Sequence, residues 1–452
     1  MSDMLSGGDM LIRALQEEGV DCIFGYPGGA VLHIYDAIFK QQKIQHVLVR
    51  HEQAATHMAD GYARSTGKAG VVLVTSGPGA TNAITGIATA HMDSIPMVVL
   101  SGQVPSALIG SDAFQETDMV GVSRPVVKHS FIVRNCEEIP SIVRKAFHIA
   151  TTGRPGPVVI DIPKDVQFAK GIYKQKKEIL IPPHRLFVSQ NLENNNLIEE
   201  ATKLIANAEK PIFYIGGGCI NSGPKAASLV TKFVEEIEAP ATMTLMGLGV
   251  LPASNQFSLG MLGMHGMYEA NMAMHECDVM VNIGARFDDR VTGRLDAFSP
   301  NSKKIHIDVD PSNINKTIKI DIPIVGDIES VMTQLFNSWK QNKYTSQKND
   351  LEKWWQKINN WKKVNCLHFE QKGDVIKPQQ AIKRLYDLTK DQDTIITTEV
   401  GQHQMWAAQY YKFEDTNKWL TSGGLGTMGY GFPAAIGAQV ANPEALVIDI
   451  AG

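Results

Sequence analysis

The chain has 452 residues, with 43 lysines and arginines against 47 aspartates and glutamates, so it is long enough for roughly two or three domains with sizeable cores. Its net charge of −4 is small and its basic residues do not form blocks, which disfavours a nucleic-acid-binding or membrane-surface protein. Five scattered cysteines without a CxxC pair predict a reducing compartment and argue against a zinc site, and no apolar run reaches membrane-spanning length.

The first part of the chain alternates strand and helix patterns. An apolar run at 45–49 leads into a helical stretch that starts at Glu52, and 70–75 is typical of a buried parallel strand. A tight glycine-rich turn at 76–79 follows, and then a predicted helix over 80–91. Because the carboxyl ends of parallel strands meet at one edge, Glu52 and this turn are predicted to share a crevice where ligands bind.

Glu52 also has a purely structural interpretation. An acid in the first turn of a helix is favoured by the helix dipole whatever the function, and Arg50 or His51 could simply pair with it. Position alone leaves both interpretations open.

Further strand and helix patterns predict three α/β domains, each a doubly wound parallel sheet, with the third truncated. A polar stretch at 181–196 is a predicted linker, and a charged, tryptophan-bearing stretch at 340–363 a predicted surface helix. The predicted boundaries are residues 1–180, 195–340 and 375–452.

Two glycine-bearing stretches mark the third domain. Gly401 follows a predicted strand at 394–398, so the amides after it are placed where a helix N-terminus could hold a phosphate. The stretch 423–431 has a glycine density that permits close approach of a flat or charged ligand. A packing loop beside a small-residue helix would have the same composition.

Together these motifs resemble those of thiamine-diphosphate enzymes, and more narrowly of the acetohydroxyacid synthase (acetolactate synthase) large catalytic subunits. The resemblance covers essentially the whole chain and is carried by Gly25-Tyr26-Pro27-Gly28-Gly29-Ala30, Arg50-His51-Glu52-Gln53-Ala54-Ala55, Thr75-Ser76-Gly77-Pro78-Gly79, Gly110-Ser111-Asp112-Ala113-Phe114-Gln115-Glu116, Asp161-Ile162-Pro163-Lys164-Asp165, Leu262-Gly263-Met264-His265-Gly266 and Gly284-Ala285-Arg286-Phe287-Asp288-Asp289-Arg290. It implies decarboxylation of pyruvate and condensation with a second 2-ketoacid, pyruvate or 2-ketobutyrate, in the biosynthesis of valine, leucine and isoleucine.

The resemblance also assigns roles to residues. Glu52 matches the glutamate that hydrogen-bonds the cofactor's pyrimidine ring, and the other catalytic matches are Gly29, Gln115, Lys164 and Arg290. Thiamine diphosphate would further contact Gly401, Gln402, His403, Gly426 and Met428, the last holding the cofactor bent. Gly28, Gly29 and Ala30 match a loop near the cofactor's centre, where bulk should harm activity more than stability.

The substrate channel would include Phe114, Met264 and Arg290. For each of these assignments a structural alternative stays open. Core packing would account for Phe114 and Met264, an ordinary surface charge for Lys164, and an ion pair with Asp288 or Asp289 for Arg290.

The same resemblance implies FAD in the central domain. The matching residues are Arg154, Gly216, Gly217, Gly218, Leu262, Gly263, Met264, His265, Gly266, Arg286, Asp308 and Asp310. The glycine triplet lacks the GxGxxG spacing and is a weak signal without the resemblance. Flavin binding would not fix the reaction, because related pyruvate oxidases use the flavin for electron transfer.

The sequence ends in Ile448-Asp449-Ile450-Ala451-Gly452, where the family has the first glycine of its Gly-Asp-Gly metal segment. We therefore expect the chain to be a fragment, with no metal ligand of its own and with the Mg²⁺ ligands beyond residue 452. A catalytically silent FAD-binding fragment is one alternative function. Others are a pyruvate oxidase, a glyoxylate carboligase and a simple decarboxylase.

The resemblance implies at least a dimer and a regulatory small subunit. The expected partners are therefore a second copy of the chain, that small subunit and 2-ketoacids. Neither a membrane nor a nucleic acid is an expected partner. The first residues carry no signal or transit pattern, which predicts bacterial cytoplasm, or plastid stroma if the gene is plastid-encoded.

Overall fold

The computed structural model describes residues 4–174 and 192–452. By internal contacts the chain divides into two compact units. One comprises residues 1–185, 395–400 and 420–451, and the other 186–394, 401–419 and 452. This division does not test the three boundaries predicted from the sequence, which stay predictions.

The first unit is built on a six-stranded parallel sheet with helices on its faces. Its strands, together with the antiparallel pair β1 and β8, are β1 (Met4–Ser6), β2 (Cys22–Gly25), β3 (Gln45–Leu48), β4 (Gly70–Val74), β5 (Met97–Gln103), β6 (His129–Ile132), β7 (Pro157–Pro163) and β8 (Lys170–Ile172). The sheet order is β3-β2-β4-β5-β7-β6. Its central strands are Val- and Ile-rich and buried on both faces, as sheets covered by helices on each side require.

Helices α1 to α8 belong to the same unit. They are α1 (Gly7–Glu17), α2 (Leu32–Phe39), α3 (Glu52–Thr66), α4 (Pro78–Asn82), α5 (Ile84–Asp93), α6 (Met119–Ser123), α7 (Ile139–Thr151) and α8 (Lys164–Phe168). The helix predicted over 80–91 is thus two helices, α4 and α5, which meet at Ala83.

The central sheet of the second unit is also six-stranded and parallel. Its strands are β9 (Pro211–Ile215), β10 (Ala241–Met243), β11 (Ser258–Met261), β12 (Val279–Ile283), β13 (Lys303–Asp308) and β14 (Ile322–Val325), in the order β11-β10-β9-β12-β13-β14. The helices that follow in the chain are α9 (Leu192–Ala206), α10 (Gly218–Asn221), α11 (Pro224–Ile237), α12 (Tyr268–Glu276), α13 (Asp289–Thr292), α14 (Ile328–Gln341), α15 (Lys348–Lys362), α16 (Pro378–Thr389) and α17 (Gln402–Tyr410).

The last part of the chain adds a small sheet and one further helix. Strands β15 (Thr394–Thr398), β16 (Trp419–Leu420) and β17 (Leu446–Ile450) are ordered β16-β15-β17, and α18 (Gly431–Ala441) packs on α3. Gly61 of α3 and Gly437 of α18 face the backbone of the other helix so closely that a Cβ on either would collide with it. The parallel α/β architecture predicted from the sequence is confirmed.

Two other sequence predictions change. Most of the predicted linker lies outside the described residues, but α9 begins at Leu192, so the last part of that linker is helical. Helix α15 is not a purely surface helix, because Leu351, Trp354 and Ile358 form a buried face. Among the described helices, none has both the length and the apolarity needed to cross a bilayer.

Candidate active site

The strand order of the first sheet reverses between β2 and β4, and candidate residues follow both strands. The loop 28–30 follows β2, and Thr75 comes directly after β4. The backbone N–H of Ala30 donates to Thr75 Oγ1 at 3.3 Å, which joins the two strand ends. Open α/β sheets bind their ligands at this kind of reversal point, so the crevice predicted from the sequence lies where a site is expected.

Glu52 is the first residue of α3 and lies beside this crevice. Its side chain is buried, and Asn82 Nδ2 donates to Oε2 at 2.9 Å. A Cβ on Gly79 would lie 3.3 Å from Oε1, so the absence of a side chain there leaves room beside that oxygen. No hydrogen bond from a described residue reaches Oε1, so one carboxylate oxygen is fixed and the other is open to a ligand.

Glu52 is in the first turn of α3, so the helix-dipole interpretation still applies to it. Within the described residues its carboxylate accepts from Asn82 and forms no ion pair with Arg50 or His51. His51 instead caps α3, because its Nδ1 accepts from the backbone N–H of Gln53 at 3.1 Å.

Gly28 and Gly29 lie in different surroundings. A Cβ on Gly28 would be 2.5 Å from the side chain of Thr75, whereas one on Gly29 would meet no atom within 4 Å. Bulk at Gly29 would therefore enter open space beside the crevice. Bulk at Gly28 would disturb the packing itself, so we expect a loss of stability there as well as of activity.

Gln115 and Lys164 lie at the same edge of the sheet. A Cβ on Gly77 would be 2.7 Å from the carbonyl oxygen of Gln115, so the Gln115 backbone packs on the turn after β4. Lys164 begins α8 directly after β7 and is half-buried. Phe114 is 89% exposed, so the core-packing alternative is wrong for it.

Three residues that hold this edge together were missed as site residues by the sequence analysis: Asn82, Thr75 and Gln167. Gln167 Nε2 donates to the carbonyls of Ala30 at 2.7 Å and Ile162 at 2.8 Å, tying the loop after β2 to β7. Polar residues one turn into helices that follow strand ends are a signal that could have pointed to Asn82 and Gln167. No spacing rule predicts their partners.

Buried titratable groups lie under and beside the crevice. Burial, aided by the charge of Asp118 and opposed by hydrogen bonds from Gln103 and Ser101, raises the pKa of Asp161 on β7 to about 7. Gln103 Nε2 donates to Asp161 Oδ2 at 3.0 Å. On α3, burial lowers the pKa of His57 to about 4, so this imidazole is neutral near pH 7.

The glycine-rich stretch 423–431 forms a loop that presents Met428 to solvent. Gly426 and Gly429 have φ values of +67° and +83°, which favour glycine, and Met428 is 79% exposed. The carboxylate of Glu399 accepts from the backbone N–H groups of Gly429 at 2.6 Å and Phe432 at 3.3 Å. The hydrogen bonds to Glu399 therefore fix the loop, while the side chain of Met428 remains exposed.

In the second unit, Gly401, Gln402 and His403 lie at the N-terminus of α17. A Cβ on Gly401 would be 2.7 Å from His403 Cε1, and a Cβ on Gly452 would overlap Nδ1 of the same ring. His403 Nε2 is buried and has no hydrogen-bond partner among the described residues. Backbone amides, a crowded glycine and an unpartnered imidazole nitrogen at a helix N-terminus are suited to an anionic group.

The predicted flavin residues of the second unit follow adjacent parallel strands. Gly216–Gly218 follow β9 and Gly284–Arg286 follow β12, and Gly218 N–H donates to the carbonyl of Gly284 at 3.0 Å. A Cβ on Gly218 would be 2.9 Å from Gly284 Cα. Close packing of these two turns is therefore one reason for the glycines, apart from any ligand.

The other residues predicted to bind flavin lie in different surroundings. Asp308 ends β13 and accepts from Asp310 N–H at 2.8 Å and Asn313 Nδ2 at 3.1 Å. Leu262 is buried, whereas His265 is exposed, and the carbonyl of His265 accepts from Gln409 Nε2. Arg154 lies in the first unit, where its Nε donates to Ser94 Oγ at 2.8 Å.

Arg290 and Met264 meet at the surface of the second unit. Arg290 Nη2 pairs with Asp289 at 3.2 Å, as the structural alternative for this arginine predicted, while Nη1 lies 3.9 Å from Met264 Sδ. Both members of the ion pair are mostly exposed, and such pairs contribute little, so the guanidinium is available to an anion. Met264 is 64% exposed, so core packing does not explain it.

No group of three or more His, Cys, Asp or Glu in the described part of the chain is arranged to hold a metal ion. Which residues would hold Mg²⁺ stays a prediction.

Comparison with protein families places three models along the chain. The thiamine pyrophosphate enzyme N-terminal TPP-binding domain matches residues 5–122, the central domain matches 198–335, and the C-terminal TPP-binding domain matches 399–452.

Curated proteins match over nearly the whole chain. The acetolactate synthase large subunit of Haemophilus influenzae is 53% identical over 99% of this chain and 77% of that protein. The acetolactate synthase isozyme 3 large subunit of Escherichia coli is 51% identical over 100% of this chain and 78% of that protein. The chloroplastic acetolactate synthase of Arabidopsis thaliana is 46% identical over 99% of this chain and 66% of that protein.

Proposed function

Because the chain belongs to the family of acetolactate synthase large subunits, we propose that it is the catalytic subunit of an acetolactate synthase. It would decarboxylate pyruvate and join the remaining two-carbon unit to pyruvate or 2-ketobutyrate. The observation that carries this proposal is the buried Glu52 at the reversal point of the sheet, with one oxygen held by Asn82 and the other open.

These residues fit thiamine diphosphate. When bound, this cofactor supplies the electron sink that decarboxylation of a 2-ketoacid needs and that no side chain offers. Glu52 would share a proton with the pyrimidine ring through Oε1, while Asn82 keeps the carboxylate oriented. Gly401, Gln402 and His403 would hold the diphosphate, and Gly426 and Met428 would support the rings of the cofactor.

Arg290 would bind the carboxylate of the second 2-ketoacid, since a guanidinium offers a planar pair of donors to a planar anion. Its present partner Asp289 is exposed and can be exchanged at little cost. In the first unit, Gln115, Lys164 and the open space at Gly29 would line the approach to the reacting atoms, with Phe114 as an apolar wall. Met264, in the second unit, is proposed separately as a channel residue.

FAD is the second cofactor we propose, held by the residues that follow β9, β12 and β13 in the second unit. Its support is the family membership together with the convergence of these parallel strand ends. We also propose Mg²⁺ as a cofactor, without assigning any of the described residues as its ligands.

The partners we propose are a second copy of the chain and a regulatory small subunit. Bacterial cytoplasm and plastid stroma are the proposed locations, because the relatives include bacterial large subunits and one chloroplastic enzyme.

Product analysis tests the function directly. The whole gene product should convert pyruvate into acetolactate only when thiamine diphosphate and Mg²⁺ are supplied, and absorbance of the released cofactor should identify FAD. Acetate with peroxide would indicate an oxidase, and free aldehyde a decarboxylase. Bound FAD without any thiamine-dependent product would indicate a catalytically silent subunit.

A further inference from the structure

Four hydrogen bonds join the loop 423–431 to helices α3 and α5 of the first unit. The carboxylate of Asp93, at the end of α5, accepts from the backbone N–H groups of Gly423 at 3.0 Å and Gly424 at 2.8 Å. Thr89 Oγ1, one turn earlier on α5, lies 2.7 Å from Thr427 Oγ1. Tyr430 donates its hydroxyl to Asp60 Oδ1 of α3 at 2.7 Å.

Arg64 joins the two carboxylates of this group. Its Nε donates to Asp60 at 2.6 Å and its Nη2 to Asp93 at 2.9 Å, and its guanidinium lies 5.4 Å from the centre of the Tyr430 ring. The carboxylates of Asp60 and Asp93 are fully buried, and Arg64 and Tyr430 are nearly or fully so. Burial also holds the pKa of Tyr430 well above its ordinary value, which keeps its hydroxyl a donor.

Buried ion pairs with several partners are costly to assemble and costly to break, so this cluster gives the loop one defined position. The exposed part of the loop carries the side chains of Leu425 and Met428. The amides of Gly423 and Gly424 have Asp93 as their partner, and no other hydrogen bond within the described residues fixes them.

We propose that Asp93, supported by Arg64, is a positioning residue for cofactor binding, which sets the loop 423–431 so that Gly426 and Met428 can receive thiamine diphosphate. This inference rests on the proposed function of the loop. Asp93 itself touches no cofactor in this account and acts only through the backbone of Gly423 and Gly424.

The test compares two substitutions of the same kind in the whole gene product. Asp93→Asn preserves shape but turns one oxygen into a donor, so at least one loop amide or Arg64 faces another donor. Asp278→Asn is the matched control, because the Asp278 carboxylate also accepts from two successive backbone amides, those of Glu209 at 2.8 Å and Lys210 at 2.9 Å, in the second unit.

We expect Asp93→Asn to raise the dissociation constant for thiamine diphosphate about tenfold, which corresponds to about 1.4 kcal/mol of binding free energy. The dissociation constant is measured from the quenching of protein fluorescence by the cofactor. The KM for pyruvate at saturating cofactor should stay near the wild-type value. Asp278→Asn should leave both constants unchanged. An equal change in the two variants, or no change in Asp93→Asn, would overturn the proposal.

If Asp93→Asn does not fold, Tyr430→Phe carries the test, because it removes only the hydroxyl that bonds Asp60. Tyr62→Phe is its control, because Tyr62 is on α3 like Asp60 but donates its hydroxyl to Asp21, which is outside the cluster. Weaker cofactor binding in Tyr430→Phe alone supports the proposal, and equal binding in both variants overturns it. A wild-type protein that binds no thiamine diphosphate would contradict the proposed function itself, and this inference with it.

Discussion

Gly28 and Gly29 are neighbours in the chain, but an alanine at each position should have a different effect. Gly28→Ala should lower the free energy of unfolding by about 1 to 3 kcal/mol, because its Cβ would overlap Thr75. Gly29→Ala should leave unfolding nearly unchanged but reduce turnover, since its methyl group enters open space beside the crevice. Thermal unfolding and steady-state kinetics on the two variants check this. Equal losses of stability would contradict it.

Asn82 should matter through Glu52 alone. Asn82→Ala removes the hydrogen bond to Oε2 and should lower kcat about tenfold, because a hydrogen bond to a charged group contributes roughly 1.5 to 3 kcal/mol. Asn255→Ala is the matched control, since Asn255 donates to Glu235 at 2.8 Å on the surface of the second unit. Steady-state kinetics of both variants test this prediction. Equal kcat values for Asn82→Ala and Asn255→Ala would show that Asn82 has no role in the site.

At the scale of single residues, the sequence predicted positions better than surroundings. Glu52 and the turn after β4 are predictable, because strand ends and glycine turns have local signals. The bond from Asn82 to Glu52 spans 30 residues and depends on how α4 packs, so no local pattern contains it. For the same reason the sequence could not separate Gly28 from Gly29.

At the scale of elements, the buried Asp161 couples β7 to β5 and should make stability depend on pH. Its pKa is about 7 in the folded chain against 3.8 ordinarily, so the folded chain favours the protonated form. The stabilisation is complete below about pH 4 and is lost as the pH rises through 7.

Asp161→Asn should therefore remove part of the decline in stability between pH 6 and pH 8, while its side-chain oxygen still accepts from Gln103. The effect should be at most a few kcal/mol, because one pKa unit corresponds to about 1.4 kcal/mol. Melting temperatures at the two pH values, with the exposed Asp36→Asn as control, check it. The same pH slope in the Asp161 variant and the wild type would refute it.

Element types were also more predictable than their ends. Strands β4, β5, β7, β9 and β12 follow from apolar runs. The division of residues 80–91 into α4 and α5, and the buried face of α15, depend on tertiary packing that hydrophobic pattern alone does not determine.

At the scale of the whole molecule, the first unit exposes several large apolar side chains near its candidate site, including Phe114, Met428 and Phe432. Such exposure is typical of surfaces that other proteins or ligands cover. Light scattering should give the whole gene product a mass of at least two chains. A mass equal to one chain in the active enzyme would contradict the proposed assembly.

The central claim is that Glu52 performs the proton chemistry of a thiamine-dependent carboligation, and Glu52→Gln tests it most directly. Acetolactate formation should fall by roughly a hundredfold or more, the usual scale of acid–base catalysis, while the circular dichroism spectrum stays that of the folded protein. Glu329→Gln, an acid in the first turn of α14, is the control for helix-dipole effects and should remain active. Acetolactate production by Glu52→Gln at the wild-type rate would contradict the account.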